Sequence, residues 1–222
     1  MTNSRANPAL FKLLQIVSPS LPVGGYSYSQ GLEWAVHTGW VTNRHEFDQW
    51  LREQLNGTMA QQDLPLLLRL YHSRRVDDRA AIEYWDAMAL AVRETSELRR
   101  EEIQRGKALF TLLQSLGMPS LVSTRSQLAA FACYCSDEHI PLHDALSGYA
   151  YSWLDSQVTA GIKLVPLGQT EGQKILYRLS QTIDAAVQHA EQVDDENIGY
   201  TSPGLTMASC LHETQYSRIY RS

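Results

Sequence analysis

Four residues of the types that bind transition metals lie close together in the sequence, namely Cys133, Cys135, His139 and His143. Thiolate and imidazole groups are ligands for transition-metal ions, so this cluster could form a metal site. Helical geometry argues against a preformed site, because side chains two positions apart on a helix point about 200° apart. Pro141 predicts a helix start between the two histidines, which separates them further. We therefore favour buried thiols and surface histidines, and we keep a metal-binding protein as the alternative.

Two segments match catalytic motifs only in part. Residues 168–174 carry the glycines and lysine of a phosphate-binding loop, but at the wrong spacing and with no hydroxyl after Lys174. Residues 25–29 lack the last glycine of a nucleophile elbow, because Ser29 stands in its place. Ser27 is better interpreted as a helix cap than as a nucleophile, and the preceding glycines as a tight turn rather than an anion site. We predict no catalytic residue and no enzymatic activity.

Composition narrows the class of protein. The chain has 222 residues, of which 44% are apolar and 19% charged, as expected for a globular protein. The formal net charge is −5 and no Lys/Arg cluster offsets it, which argues against a nucleic-acid partner. The three cysteines favour reduced thiols, because Cys133 and Cys135 are too close for an easy disulfide and Cys210 is distant. No apolar run approaches the roughly 20 residues of a membrane span. We expect a cytoplasmic, soluble protein with no membrane partner.

The dominant sequence period is helical. Asn7 and Pro8 predict the start of a first helix, Ser27 with Gln30 has capping-box spacing for a second, and Thr42 can cap a third. Further helices are predicted over residues 64–72, 78–115 with an interruption near 95–96, 124–135, 142–165, 167–191 and from 202 onward. Residues 117–119 are a predicted stop. The pattern predicts an all-α, single-domain helical bundle over residues 1–222, with roughly eight to ten helices and an irregular C-terminal docking tail at 214–222.

A run of charges of alternating sign lies in the middle of the chain. It comprises Glu94, Glu97, Arg99, Arg100, Glu101, Glu102, Arg105 and Lys107. Glu101 and Arg105 have the i,i+4 spacing of a helical ion pair. We interpret the run first as a solvated helix face and second as a docking surface.

Four segments, in order along the chain, resemble the UreF family of urease accessory proteins. They begin with LLQIVSP and LPVGGYSYSQGLE, continue through RET with ELR and YSWL with AGIKLVPLGQ, and end with HETQYSRIYRS; they span residues 13–33, 93–99, 151–169 and 212–222. The one mild departure is Tyr220, where many relatives carry Phe.

The resemblance implies an all-α homodimer that acts as an adaptor in loading nickel into urease. It implies binding to the UreD/UreH accessory protein, to the GTPase UreG and to apo-urease, and modulation of GTP-dependent nickel delivery. Nickel would be handled mainly by the partners, and GTP and magnesium by the GTPase, so we expect no cofactor on this chain. The alternative is a nickel-binding carrier that uses Cys133, Cys135, His139 and His143.

The expected partner-binding residues follow from the same segments. The resemblance carries a role facing UreD/UreH to Tyr26 and Arg218 and a role facing the GTPase to Lys163, although a lysine there can also simply complement a helix end. Tyrosine and arginine are enriched at interface hot spots, which favours a docking role for the tail. The alternative interpretation is that the tail is only a frayed terminus. We expect the tail to be mobile in the free protein and ordered in the complex. The full set is Tyr26, Ser27, Glu33, Lys163, Gln169, Tyr216, Arg218, Tyr220 and Arg221.

Overall fold

The structure, a computed structural model, describes residues 7–118, 122–200 and 202–222. The helices are α1 (Pro8–Ile16), α2 (Leu32–His37), α3 (Arg44–Gln54), α4 (Leu64–Arg75), α5 (Arg79–Ala91), α6 (Ser96–Ser115), α7 (Gln127–Asp137), α8 (Leu142–Leu164), α9 (Gln169–Ser180), α10 (Ile183–Glu191) and α11 (Pro203–His212). A π-helical segment, Leu55–Asp63, joins α3 to α4 without a break. No strand occurs in the described parts of the chain, and the all-α prediction is confirmed.

The core is built around α4 and α7. Every residue of α7 from Gln127 to Ser136 is buried, and α4 contributes four fully buried leucines to the same core. Close packing of the long helix α8 depends on a glycine, since a Cβ at Gly161 would lie 2.1 Å from the ring of Phe47. The predicted long helix is confirmed, because α8 runs without interruption to Leu164. Of the helices described, none is long and apolar enough to cross a membrane.

Local capping confirms several predicted helix starts. The side chain of Asn7 accepts a hydrogen bond from the Ala9 amide, and that of Thr95 accepts one from Leu98 at the predicted interruption. Helix α6 ends at Ser115 and Gly117 adopts φ +78°, as the predicted stop requires, while Pro119 lies outside the described residues.

The predicted start of the second helix is wrong. Ser27 donates its hydroxyl hydrogen bond to the Gly24 carbonyl instead of capping a helix, and α2 begins only at Leu32. Gln30 adopts φ +52°, and its side chain is directed to Glu101 on α6 and Trp153 on α8. These tertiary partners outweigh the local capping-box pattern, because a partly buried amide is stabilised by hydrogen bonds within the protein.

Three other boundaries also differ from the prediction. The cap of α3 is Asn43 rather than Thr42, and the cap of α7 is Ser126 rather than Thr124. At α7 the carboxylate of Asp86, from α5, accepts hydrogen bonds from the Arg125 and Ser126 amides and fixes the start. The segment predicted as one helix over 167–191 is divided into α9 and α10.

Candidate functional site

The C-terminal tail lies beside the segment that precedes α2. The Arg221 amide donates a hydrogen bond of 2.8 Å to the Ser27 carbonyl. The amide and hydroxyl of Ser29 both donate to the Ser222 carbonyl, at 2.8 and 2.6 Å. These contacts join residues almost two hundred positions apart, so the two chain segments that carry the first and last family motifs form one surface.

Glu33 is the main acceptor for the tail. It lies in the first turn of α2 and is buried. Its carboxylate accepts hydrogen bonds from the Ile219 amide at 2.7 Å and the Tyr220 amide at 2.9 Å. A buried carboxylate is stable only when such donors compensate its lost hydration. The sequence Gly31-Leu32-Glu33 therefore positions a charge that holds two consecutive backbone amides.

His212, at the end of α11, lies between two carboxylates. Its Nδ1 is 2.6 Å from Glu97 and its Nε2 is 3.2 Å from Glu33, and the ring is fully buried. The imidazole thus bridges the carboxylates of Glu97 and Glu33 through its two ring nitrogens. Arg218 adds a cation, with its guanidinium 2.6 Å from the other oxygen of Glu97.

Glu101, on α6, completes the arrangement. It accepts hydrogen bonds from the Ser222 hydroxyl at 3.0 Å, from Gln30 at 3.0 Å and from Arg105 at 2.8 Å. The predicted Glu101–Arg105 ion pair is thus confirmed. We call Ser29, Glu33, Glu97, Glu101 and His212 the tail seat.

The tail seat bears on two expectations. For residues 218–222 the contacts favour a seated tail, because buried groups of the seat bind their amides, hydroxyl and guanidinium; the mobility expected for the free protein stays a prediction. The interpretation of the charge run as a solvated face is wrong for Glu97, Glu101 and Glu102, which are buried. Glu97 and Glu101 are four residues apart and lie on one helical face, and that spacing is the signal that could have identified a buried pair.

The structure brings most of the predicted partner-binding residues to this region and divides them into two groups. Tyr26 is 69% exposed, and Tyr216 and Arg221 are also exposed. Glu33 and Tyr220 are buried, and Ser27 holds the tail through its carbonyl. The buried residues can act only by positioning the exposed ones.

Lys163 and Gln169 lie at a different corner of the molecule. Lys163 is in the last turn of α8 and Gln169 begins α9, and both are exposed. Lys163 is ten residues beyond Trp153, the α8 contact of the seat, which corresponds to about 15 Å along the helix. We call this exposed pair the α8–α9 corner.

The candidate metal ligands do not form a site. Cys133 and Cys135 are buried in α7, and burial raises the pKa of the Cys133 thiol to about 12. His139 contacts Arg75, whereas His143 pairs with Asp184 on α10. No group of three or more His, Cys, Asp or Glu side chains that could hold a metal ion is found within residues 7–118, 122–200 and 202–222. The geometry does not favour the nickel-carrier alternative.

A second buried charge network lies in the core and was missed by sequence reasoning. Arg93 pairs with Asp63 at 2.9 Å and with Glu102 at 2.9 Å. Burial by itself lowers the pKa of the Arg93 guanidinium, but the two carboxylates outweigh it and raise that pKa well above its usual value. Glu102 also accepts a hydrogen bond from the Leu128 amide in the first turn of α7. We call Asp63, Arg93 and Glu102 the core cluster.

Comparisons with known proteins agree with the motifs. The family model described as UreF matches residues 41–180. The chain is 46% identical to the urease accessory protein UreF of Alcanivorax borkumensis, over 97% of this chain and 99% of that protein. It is 47% identical to the protein of the same name from Pseudomonas entomophila, over 96% and 98% of the two chains. With that from Alkalilimnicola ehrlichii it shares 41% identity over 99% and 100%.

Proposed function

This chain belongs to the UreF family of urease accessory proteins, and we propose that it is a non-catalytic adaptor in the maturation of urease. In this proposal the surface over the tail seat binds the UreD/UreH-type accessory protein. The α8–α9 corner faces the UreG-type GTPase. The assembled complex acts on apo-urease.

The observation that carries this proposal is that buried and exposed groups at the tail seat have different roles. Buried carboxylates hold the backbone of the tail, and aromatic and cationic side chains of the same segment remain in solvent. Exposed Tyr26, Tyr216 and Arg221 are of the types that dominate interface energies. Seating of the tail before binding would spare a partner roughly 1–2 kcal/mol of conformational entropy for each tail residue. A fixed aromatic and cationic surface is what an adaptor requires.

The chemistry of nickel delivery is assigned to the partners. Nickel is handled mainly by them, and GTP with magnesium is bound by the GTPase, which this chain modulates. Lys163 supports a contact at the α8–α9 corner, because its ammonium is exposed and makes no hydrogen bond or salt bridge to the described residues. The three free cysteines agree with a reducing compartment, and we place the protein in the cytoplasm.

The same proposal includes a homodimer. Helix α1 packs on α8, where a Cβ at Gly148 would lie 2.8 Å from the Leu13 side chain. Helix α1 also exposes three large apolar side chains, Leu10, Phe11 and Leu14, and Tyr151 is exposed about one turn of α8 beyond Gly148. This many exposed apolar side chains on one short helix favours an interface over a solvated face.

Reconstitution of the complex tests the proposal. The purified chain is mixed with a UreD/UreH-type protein and then with a UreG-type GTPase, and assembly is followed by co-elution. Tyr26→Ala should abolish or strongly weaken the first complex, and Tyr84→Ala is the matched control because Tyr84 is similarly exposed on α5. Lys163→Ala should leave the first complex intact and alter GTP hydrolysis in the second. Failure of the unmodified chain to bind either protein would overturn the adaptor function.

A further inference from the structure

A groove of about 370 Å³ lies between α6 and the tail. Its walls include three arginines, Arg100 from α6 and Arg218 and Arg221 from the tail, together with Gln104 and Tyr220. This concentration of cations contrasts with the formal net charge of −5 for the whole chain. The groove therefore concentrates positive charge on a protein whose net charge is negative.

The acidic residues of the groove are already saturated. Glu97 is bound by His212 and Arg218, and Glu101 by Ser222, Gln30 and Arg105. Both carboxylates are buried. They neutralise the tail seat and offer no acceptor to a ligand in the groove.

The remaining polar groups of the groove are hydrogen-bond donors. The side chains of Arg100 and Arg221 are exposed and make no hydrogen bond or salt bridge to residues 7–118, 122–200 or 202–222. Gln104 uses its oxygen to accept from the Tyr28 hydroxyl at 2.8 Å, which leaves its amide hydrogens available. Tyr220 is 5% exposed, and its hydroxyl finds no partner among the described residues.

Arg100 already acts electrostatically on a neighbouring carboxylate. The pKa of Glu213 is lowered, first by its hydrogen bond from Ser96 and last by the charge of Arg100. Glu213 itself is committed to the start of α6, since it accepts from the amide and hydroxyl of Ser96. The guanidinium of Arg100 thus keeps all its donors for another carboxylate.

We propose that this groove receives carboxylate side chains from an acidic segment of the protein that binds over the tail seat. The inference rests on the proposed function and names the chemistry of its partner. Carboxylates accept without donating, and an arginine fork matches their two oxygens. Tyr216 and Ile219 are exposed on the same tail, so an extended segment can add apolar contacts that a small anion cannot.

The decisive experiment measures affinity for the UreD/UreH-type partner at several salt concentrations. Arg100→Gln and Arg221→Gln should each weaken binding about tenfold, the effect of losing one charge-assisted hydrogen bond. Each should also reduce the dependence of affinity on salt. Arg79→Gln is the control, because Arg79 is exposed on α5 and makes no hydrogen bond or salt bridge to the described residues. None of the three changes should alter the thermal midpoint.

Two results separate this inference from the adaptor function. If the unmodified complex forms and the double variant Arg100→Gln, Arg221→Gln binds with the same affinity and the same salt dependence, the groove inference is wrong and the adaptor function stands. If the unmodified chain forms no complex, both are wrong.

A second measurement distinguishes an acidic segment from a small anion. An oligoglutamate peptide and inorganic phosphate are titrated separately into the isolated chain, and the amide resonances of Arg100, Gln104 and Arg221 are followed by nuclear magnetic resonance. We expect the peptide to shift these resonances at concentrations where phosphate does not. Equal shifts with phosphate, or no shift with the peptide, would overturn the proposal.

Discussion

The core cluster and the tail seat use the same chemistry in two different regions. In each, buried glutamate or aspartate carboxylates pair with basic side chains at distances of 2.6 to 3.2 Å. The core cluster draws its members from the π-helical segment, from the α5–α6 connection and from α6, all within the bundle. In the tail seat the carboxylates belong to α2 and α6, whereas their partners His212 and Arg218 come from the end of α11 and from the tail.

This difference determines what each network can do. Loss of Arg93 from the core cluster would leave unpaired carboxylates buried between helices. These carboxylates can reach water only if the bundle opens, so the loss lowers the stability of the bundle as a whole. Loss of the tail seat can be relieved by detaching a short terminal segment into water, where every exposed group is solvated. Local opening of this kind requires less free energy than global unfolding. Gln30 connects the seat to the long helix, because it bonds both Glu101 and Trp153.

The largest expected effect is on the core cluster. Arg93→Met should lower the free energy of unfolding by about 3–5 kcal/mol, because it leaves Asp63 and Glu102 buried without a cation. Urea denaturation measures this loss, and Arg52→Met is the matched control. The Arg52 side chain is 42% exposed and, among the described residues, pairs only with Asp48 on its own helix, so its replacement should change stability by less than about 1 kcal/mol. Similar losses for the two variants would contradict the proposed role of the cluster.

The next effect is on the acceptor of the tail. Glu33→Ala removes the carboxylate that binds the Ile219 and Tyr220 amides and should lower the free energy of unfolding by about 2 kcal/mol. The loss is smaller than for Arg93 because the tail detaches and is hydrated. Proteolysis should show the distinction, with early cleavage after Arg218 in Glu33→Ala while the bundle remains intact. A tail that resists cleavage as well as in the unmodified chain would show that Glu33 does not hold it.

A smaller effect is expected at the exposed rim of the seat. The Arg218 side chain is 36% exposed, so its ion pair with Glu97 is screened by solvent. Arg218→Ala should reduce stability by only about 0.5–1 kcal/mol. The same variant should reduce affinity for the UreD/UreH-type partner by a larger factor than this stability change accounts for. Stability and affinity that fall together by the same free energy would assign Arg218 to the fold alone.

The smallest effect concerns the reactivity of the three cysteine thiols, which is measured without changing the fold. Cys210 is exposed on α11, whereas Cys133 and Cys135 are buried in the core. Burial raises the pKa of Cys133 to about 12 and that of Cys135 well above its usual value, so neither forms the reactive thiolate near pH 8. In the native chain, one thiol should react quickly with a disulfide reagent and two should react only after denaturation. Fast reaction of all three would place the α7 thiols at the surface and reopen the metal-carrier alternative.

Much of the fold could be predicted from residues that act locally. Asn7 with Pro8, Thr95 and the apolar spacing of residues 142–165 act within their own helices, and their predictions are confirmed. The predicted caps Ser27 with Gln30 and Thr124 failed because distant groups determine the local structure beside them. Glu101 and Trp153 bind Gln30, and Asp86 binds the amides that begin α7.

The candidate site could likewise be predicted only where residues act locally. Sequence motifs identified the exposed residues Tyr26 and Arg221, but they could not distinguish a free tail from a seated one. That distinction depends on Glu33 and His212, which are far apart in sequence and meet only after α2 and α11 have packed together. Pairing at long range leaves no local periodicity, so a single sequence does not reveal it.

Hydrogen–deuterium exchange of the isolated chain tests the central claim most directly. The account predicts that the Ile219, Tyr220 and Arg221 amides are protected without any partner, because Glu33 and the Ser27 carbonyl bind them. It also predicts that Glu33→Ala removes this protection while α4 and α7 keep theirs. Exchange of these three amides at the rate of an unstructured peptide in the unmodified chain would contradict the existence of the tail seat in the free protein.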